Sequence, residues 1–356
     1  MEPFLLGLDD TIRGHKIAMP VYLSSVGGLR AGHIEGELAA TRGADRAGTI
    51  QWVSGVTSTP IEEIVAQATG PVFQQLYYFD DKSDMTASAI ERCKTAGVAA
   101  LVLLGDSPPF GGAEVPIGQR AFAPTPVSLH DGIRFFPQML TKPTWTWDFL
   151  RDGMKEPRAA MARDSTGRTL AVNEATLAHF RAPTNWADLP WIRKHWAGPI
   201  VMKGIVSVES ARRAVDEGID AIVVSNHGGN ALDGTVPTIE VLPPIVHAVG
   251  AEIEILVDGG VARGGDVVKA LALGARAVGI GRGYVYRCSP QARKASTTCS
   301  GCFGSRLSRR SCGWASDPST TSTRRSCACR ASQLASGHSA RNEVSPWEEY
   351  QSGNPS

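Results

Sequence analysis

A single cadence recurs three times in this chain and limits what it can become. Lys94–Asp106 (KTAGVAALVLLGD), Val215–His227 (VDEGIDAIVVSNH) and Leu271–Arg282 (LALGARAVGIGR) each run from helix-forming residues through one glycine into a short apolar run. The glycines, Gly97, Gly218 and Gly274, stand where a helix ends in the left-handed conformation that glycine adopts without a Cβ penalty. Nine residues beyond them lie Asp106, His227 and Gly283, which puts Asp106, His227 and the Gly281-Arg282 pair at equivalent strand ends. Helix alternating with buried strand predicts parallel strands joined by right-handed crossovers.

Five more runs complete the set, giving predicted strands over 19–24, 48–53, 71–77, 98–104, 199–203, 219–224, 253–257 and 275–280. Eight parallel strands in 356 residues, 42% of them hydrophobic, predict an α/β chain folded as a (β/α)8 TIM barrel. Between the first strands, Glu35–Ala47 has helical composition. Thr59-Pro60-Ile61-Glu62 reads as a helix start with a Thr cap. The cadence stops between Asp106 and Pro199. Segment 107–198 holds Trp145, Trp147, Trp186, Trp191 and Trp196, five of the eight tryptophans, and is expected to be an ordered, lid-like insertion after strand four.

Average composition conceals a division. From Arg287 to Asn342 there are ten Lys/Arg against the single acid Asp317, together with six of the seven cysteines. This Ser/Arg/Cys-rich stretch has no apolar periodicity and cannot bury enough surface to fold. The expected organisation is therefore a barrel over 1–286 and a disordered tail over 287–356. Cys299-x-x-Cys302 and Cys327-x-Cys329 lack the second properly spaced pair of a zinc site, so no metal is expected. The net charge of +1 argues against nucleic acid or an anionic membrane surface as the main partner. No apolar run approaches the ~18 residues of a membrane span, and Met1–Asp10 is no signal peptide. A cytoplasmic protein acting on a small molecule is expected.

In such barrels the chemistry sits at the carboxyl ends of the strands. After strands seven and eight come Asp258-Gly259-Gly260 and Gly281-Arg282, glycine loops with a guanidinium that suit a phosphate. Asp258 suits a ribose or ribityl hydroxyl. Lys203 ends a nearly all-apolar strand, where an unpaired ammonium is costly. A flavin N1/O2 edge, a Schiff base or a neighbouring carboxylate would each resolve that cost. His227 and Asp106 suit an acid–base pair in which the carboxylate fixes the imidazole tautomer. Tyr77 suits a donor to a substrate oxygen.

SNHGG-x-x-LDG, with MKG upstream and DGG-x-x-RG-x-DVVKALALGA and IGR downstream, resembles the FMN-dependent α-hydroxy-acid dehydrogenase/oxidase family from about Ile12 to Tyr286. The resemblance implies an FMN-dependent oxidoreductase acting on a 2-hydroxy-acid-like CH–OH group. In it, His227 removes a proton, Asp106 pairs with that histidine, and Tyr77 steadies the substrate oxygen. Lys203 matches the lysine at flavin N1/O2, and Ser54, Gln75 and Ser225 match contacts to the ring. Val26-Gly27-Gly28 matches the backbone beside the flavin. Asp258, Gly259, Gly260, Arg263, Gly281 and Arg282 match the ribityl and phosphate site. The re-oxidant (oxygen, a quinone or a redox protein) is left open, as is homo-oligomerisation.

Several positions depart from the family pattern. Asn230 replaces an arginine that grips the substrate carboxylate, and Phe110-Gly111-Gly112-Ala113 lacks the second such arginine. Leu104 replaces a threonine, and Ala262 an arginine, with Arg263 following. SNHGGN-x-LDGT is nearer the mycofactocin-maturation flavoenzyme branch, which implies oxidation of a C–N centre in a peptide-derived substrate, with Asn230 at the substrate. The family's N-terminal segment with its active-site tyrosine has no counterpart here, as a late start codon would produce. The tail after Tyr286 replaces the last barrel helix, as a frameshift would produce. Three further readings stay open: an inactive truncated relative, a flavin-dependent isomerase and a non-redox phosphate-binding barrel.

Overall fold

The computed structural model describes residues 10–78, 84–106, 129–151, 158–163, 166–181, 184–229, 232 and 234–288. Eight parallel strands close a barrel: β1 (Val21–Leu23), β2 (Gln51–Val53), β3 (Val72–Leu76), β4 (Ala100–Leu104), β5 (Ile200–Ile205), β6 (Ala221–Val224), β7 (Glu254–Val257) and β8 (Ala277–Ile280). They pair in sequence order, and β8 returns to β1. All eight are the runs expected from the sequence, and most are shorter at their ends. The three cadence glycines have φ of 81°, 68° and 102° at Gly97, Gly218 and Gly274, the left-handed helix ends that their position requires.

Strand alternation sorts the side chains into two cores. Outward residues such as Leu101, Leu103, Ile222 and Val257 pack under the helices, while Tyr22, Trp52, Phe73, Val102, Val201, Val223 and Leu256 fill the interior. The rings of Tyr22 and Trp52 stack at 4.3 Å and those of Trp52 and Phe73 at 5.6 Å. Ala100, Ala221 and Ala277 make room for these rings on other strands, the alternation of large and small that a narrow barrel needs. The middle of the cylinder is thus packed, and polar groups are confined to its rim.

One element was absent from the sequence reading. Asp10–Ile12 and His15–Ile17 form an antiparallel hairpin across Arg13-Gly14, whose φ values of 50° and 79° suit a two-residue hairpin turn. Ile12 and Ile17 are buried in the interior core. Arg13 pairs with Asp220 at 3.1 Å, and its backbone N–H donates to the Glu254 carboxylate. The hairpin therefore seals the amino-terminal end of the barrel.

The expected Thr59 cap is corrected. The helix Ile61–Gln67 is capped by Pro60 without a side-chain bond. The Thr59 hydroxyl donates instead to the buried Glu37 side chain at 2.9 Å, which commits it to the barrel wall and not to the helix start.

Within the insertion, helices Leu129–Leu140 and Pro143–Arg151 leave Ile133, Phe136, Leu140, Trp147 and Leu150 exposed. Strands Arg158–Arg163 and Thr169–Ala171 pair antiparallel and lead into helix Val172–Arg181. Ala159, Ala162, Leu170 and Ala175 pack with Val56 in a small third core beside the barrel mouth. Trp196 is buried in the outer core, with Trp186 and Trp191 packed against it, so these three tryptophans belong to the helical wall. Among the described residues, no helix is long and apolar enough to cross a membrane.

Candidate active site at the carboxyl ends of the strands

β5 supplies the floor of the site. Val223 of β6 pairs with Lys203 and Val224 with Ile205, so Gly204 is an extra, unpaired residue with φ 99°. This is a β-bulge at the strand's end, a device that re-aims the neighbouring side chain. Lys203 Nζ donates to Ser225 Oγ at 2.7 Å and lies 3.3 Å from Asp258 Oδ2. Ser24 Oγ donates to the same carboxylate oxygen at 3.1 Å. The lysine and aspartate side chains are only 4% and 7% exposed. Four strand ends thus contribute one buried polar network directly above the apolar interior. Of the three resolutions offered for Lys203, a carboxylate partner is present; its remaining ammonium hydrogen leaves room for a further acceptor.

His227 sits on the loop after β6. Its φ is 55°, followed by 66° at Gly228 and 72° at Gly229. A non-glycine residue in this region is uncommon and costs energy; the two glycines relieve the same demand next to it. The His227 backbone N–H donates to Ser225 Oγ at 3.2 Å, and Nδ1 lies 3.2 Å from Asp106 Oδ1 at the end of β4. The imidazole remains 31% exposed and the carboxylate 11%. Burial pushes the Asp106 carboxyl upward, but the His227 hydrogen bond and the nearby Lys203 charge outweigh it and hold the group below its usual value. A carboxylate at Nδ1 fixes the tautomer with its proton there, leaving Nε2 with a lone pair. Asp106 Oδ2 is buried without a hydrogen-bond partner among the described residues.

Glycines set this geometry as much as the charged groups do. A Cβ on Gly204 would stand 2.6 Å from Asp106 Cβ and 2.7 Å from its Cγ and backbone N. Only glycine lets the carboxylate reach His227. A Cβ on Gly55 would meet Tyr77 Cδ1 at 2.5 Å, and one on Gly27 would meet Val56 Cγ2 at 2.5 Å and Ser54 Oγ at 3.2 Å. The Val26-Gly27-Gly28 loop therefore lies against the end of β2. Burial, with Asp106 adding, pushes the Tyr77 phenol up to about 12, against the pull of a Ser54 hydrogen bond. The hydroxyl is protonated at neutral pH.

The far side of the mouth is the glycine-rich end of β7 and β8. Gly259 and Gly260 have φ of 98° and 69°, and a Cβ at Gly259 would stand 2.9 Å from Asn226 Oδ1. Arg282 is exposed, and its Nη2 donates to the Gly228 carbonyl at 2.8 Å. Arg263 is exposed and precedes the helix Gly264–Ala272. His227 and the glycine loops hence share one rim. Ser54 and Gln75 are buried at the ends of β2 and β3. Asn230 lies outside the described residues, as do Phe110–Ala113 and the tail from Ser289 onward.

The sequence reading missed Ser24, Gly55, Gly204 and His179. Ser24 and Gly55 were visible only as strand ends. Gly204 followed a singled-out lysine, but nothing in a Lys-Gly pair announces a bulge.

A closed parallel barrel with a buried cation, a histidine–aspartate pair and glycine-rich loops on one rim is the layout expected of a flavin-dependent oxidoreductase. The residues fit FMN on the structure's own terms. A cation is held beneath the rim, the Gly27 loop is kept bare by contact, and left-handed glycines with an exposed arginine stand at the β7–β8 end. The sequence pattern of the family "FMN-dependent dehydrogenase" matches residues 7–297, and the chain belongs to that family.

Individual relatives agree. Pre-mycofactocin synthase of Mycolicibacterium smegmatis is 39% identical over 289 residues, covering 78% of this chain and 68% of that protein. L-lactate dehydrogenase of Xanthomonas campestris pv. campestris is 39% identical over 286 residues, covering 79% and 72%. The structure of (S)-mandelate dehydrogenase, described as a monotopic membrane protein, superposes with a TM-score of 0.75 at 30% identity, covering 85% of this chain and 79% of that one. The chain is an FMN-dependent oxidoreductase with the barrel of that family.

Proposed function

We propose that this enzyme oxidises the CH–OH group of a small 2-hydroxy-acid-like molecule, in the cytoplasm, with His227 as base. The observation that carries the reading is the 3.2 Å contact between His227 Nδ1 and Asp106 Oδ1, on an imidazole still a third exposed at the mouth. Converting CH–OH to C=O removes two electrons and two protons. His227 accepts one proton at Nε2, and the Asp106 carboxylate stabilises the imidazolium that results. The Tyr77 hydroxyl would donate a hydrogen bond to the substrate oxygen. Lys203, Ser225, Asp258, Ser54, Gln75 and the Val26–Gly28 loop would hold the ring and ribityl end of FMN. Gly259, Gly260, Arg263, Gly281 and Arg282 would hold its phosphate. When bound, FMN would supply the acceptor for the two electrons and for the second proton.

A second reading rests on Asn230. Without an arginine there, a substrate carboxylate loses a bidentate partner, which favours an uncharged or C–N substrate. The similarity to pre-mycofactocin synthase supports the same direction. Anaerobic mixing of the flavin-loaded protein with L-lactate, mandelate, mandelamide or a benzylic amine separates the two readings by which probe bleaches the flavin. His227→Ala is expected to keep its yellow colour and to slow bleaching by roughly 10²–10⁴-fold. Undiminished bleaching would remove His227 from the mechanism.

A further inference from the structure

Tyr77 is held by more than the strand that carries it. Gly55 lies against the base of its ring, where any Cβ would strike it. Against its face lies the imidazole of His179, centroid to centroid 4.1 Å with planes 19° apart. His179 comes from the insertion, on helix Val172–Arg181, and is 1% exposed. Its Nδ1 lies 3.2 Å from the carbonyl oxygen of Tyr78, the residue after the one it stacks on. The helix meets the mouth through Ala175 in the third core, with Ala178 and Tyr77 packed beside it.

Two histidines near one aspartate invite the question of which is the base. Burial, opposed by the Tyr78 hydrogen bond and aided by His227, holds the His179 imidazole down at about 4. A neutral ring committed to a backbone carbonyl does not compete with His227 for Asp106. Its face is turned to the Tyr77 ring. We infer that His179 is a positioning residue: by stacking on Tyr77 it sets the phenol that meets the substrate, and it makes the insertion a working part of the site. The inference rests on the reading of Tyr77 given above.

Incorporating 3-fluorotyrosine and recording ¹⁹F spectra tests the placement without any substrate. The protein has six tyrosines, and the Tyr77 line is the one missing from Tyr77→Phe. In His179→Ala that line is expected to move toward the position of free 3-fluorotyrosine, and in His179→Phe, which keeps a flat ring, to stay displaced. An unmoved line in His179→Ala overturns the inference. For function, flavin reduction by mandelate is expected to slow by about ten- to a hundredfold in His179→Ala and to recover in His179→Phe. His179→Ala/Tyr77→Phe should be no slower than Tyr77→Phe alone, since the two residues act as one unit. Additive losses, or no loss in His179→Ala while Tyr77→Phe is slow, overturn the positioning role. If Tyr77→Phe itself reduces normally, the substrate role of Tyr77 falls, and the fluorine line still decides whether His179 holds the ring.

Discussion

The two sides of the barrel mouth are built on different principles. On the β5–β8 side, Lys203, Ser225 and Asp258, with Ser24 from the adjoining β1, form one buried network of charge-assisted bonds. Its geometry is set by strand register and by the Gly204 bulge. On the β3–β4 side, Tyr77 and His179 are neutral at pH 7 and meet by stacking. In the function proposed above, the first side would anchor the cofactor through electrostatics. The second would shape the substrate's side of the mouth through packing, and one of its rings comes from helix Val172–Arg181, outside the barrel. A network of charges tolerates no missing member, whereas a stacked pair tolerates another flat ring.

Lys203→Met breaks the first side most severely. It leaves Asp258 buried without its ammonium, which is expected to cost about 3–5 kcal/mol of stability and most flavin retention. Lys203→Met/Asp258→Asn should recover part of the stability but not the flavin. Chemical denaturation and the flavin content of purified protein measure both. Equal stability of wild type and Lys203→Met would mean that the network is ornamental.

The second side is exposed to acid. His179 has a folded-state pKa of about 4 against an ordinary 6.5, so below pH 6.5 the unfolded chain binds a proton that the folded chain refuses. Its neutral burial is harmless above pH 6.5. Folding stability is then lost as pH falls from about 6.5 toward 4, amounting to about 3 kcal/mol at the acid end. Unfolding free energy followed across that range should fall in wild type, with this part of the slope missing in His179→Phe. An unchanged slope would contradict the buried neutral imidazole.

Gly204→Ala has the smallest expected effect and joins the two sides. At φ 99° a methyl group there is strained and strikes Asp106 at Cβ, Cγ and backbone N, so the carboxylate must move from His227. Flavin content should stay near normal and flavin reduction fall by about tenfold, a change of roughly 1.4 kcal/mol in the barrier. Loss of flavin in place of rate would show that the bulge serves the cofactor.

Much of the first side was readable from the sequence. Buried parallel strands are short β-branched runs between a helix-ending glycine and a polar loop, so Gly218 and Gly274 located the ends carrying His227 and Arg282, as Gly97 located Asp106 across the mouth. The (β/α)8 fold followed from the count of such units. The second side was less legible. His179 is a lone histidine in a helix with no local signal, and its meaning comes from Tyr77, 102 residues away. Gly204 and Gly55 matter through what a Cβ would strike, which only the folded neighbour reveals. The hairpin of Arg13-Gly14 escaped because its strands are three residues each, too short for alternation to register.

The most direct test of the account is the anaerobic absorption spectrum of the purified chain before and after mixing with mandelate, mandelamide and a benzylic amine. The expected result is a yellow protein whose flavin band is bleached by at least one of them. A protein that binds FMN at full occupancy yet is bleached by none, while chemical reduction bleaches it normally, would contradict a barrel mouth that joins His227 to a redox flavin.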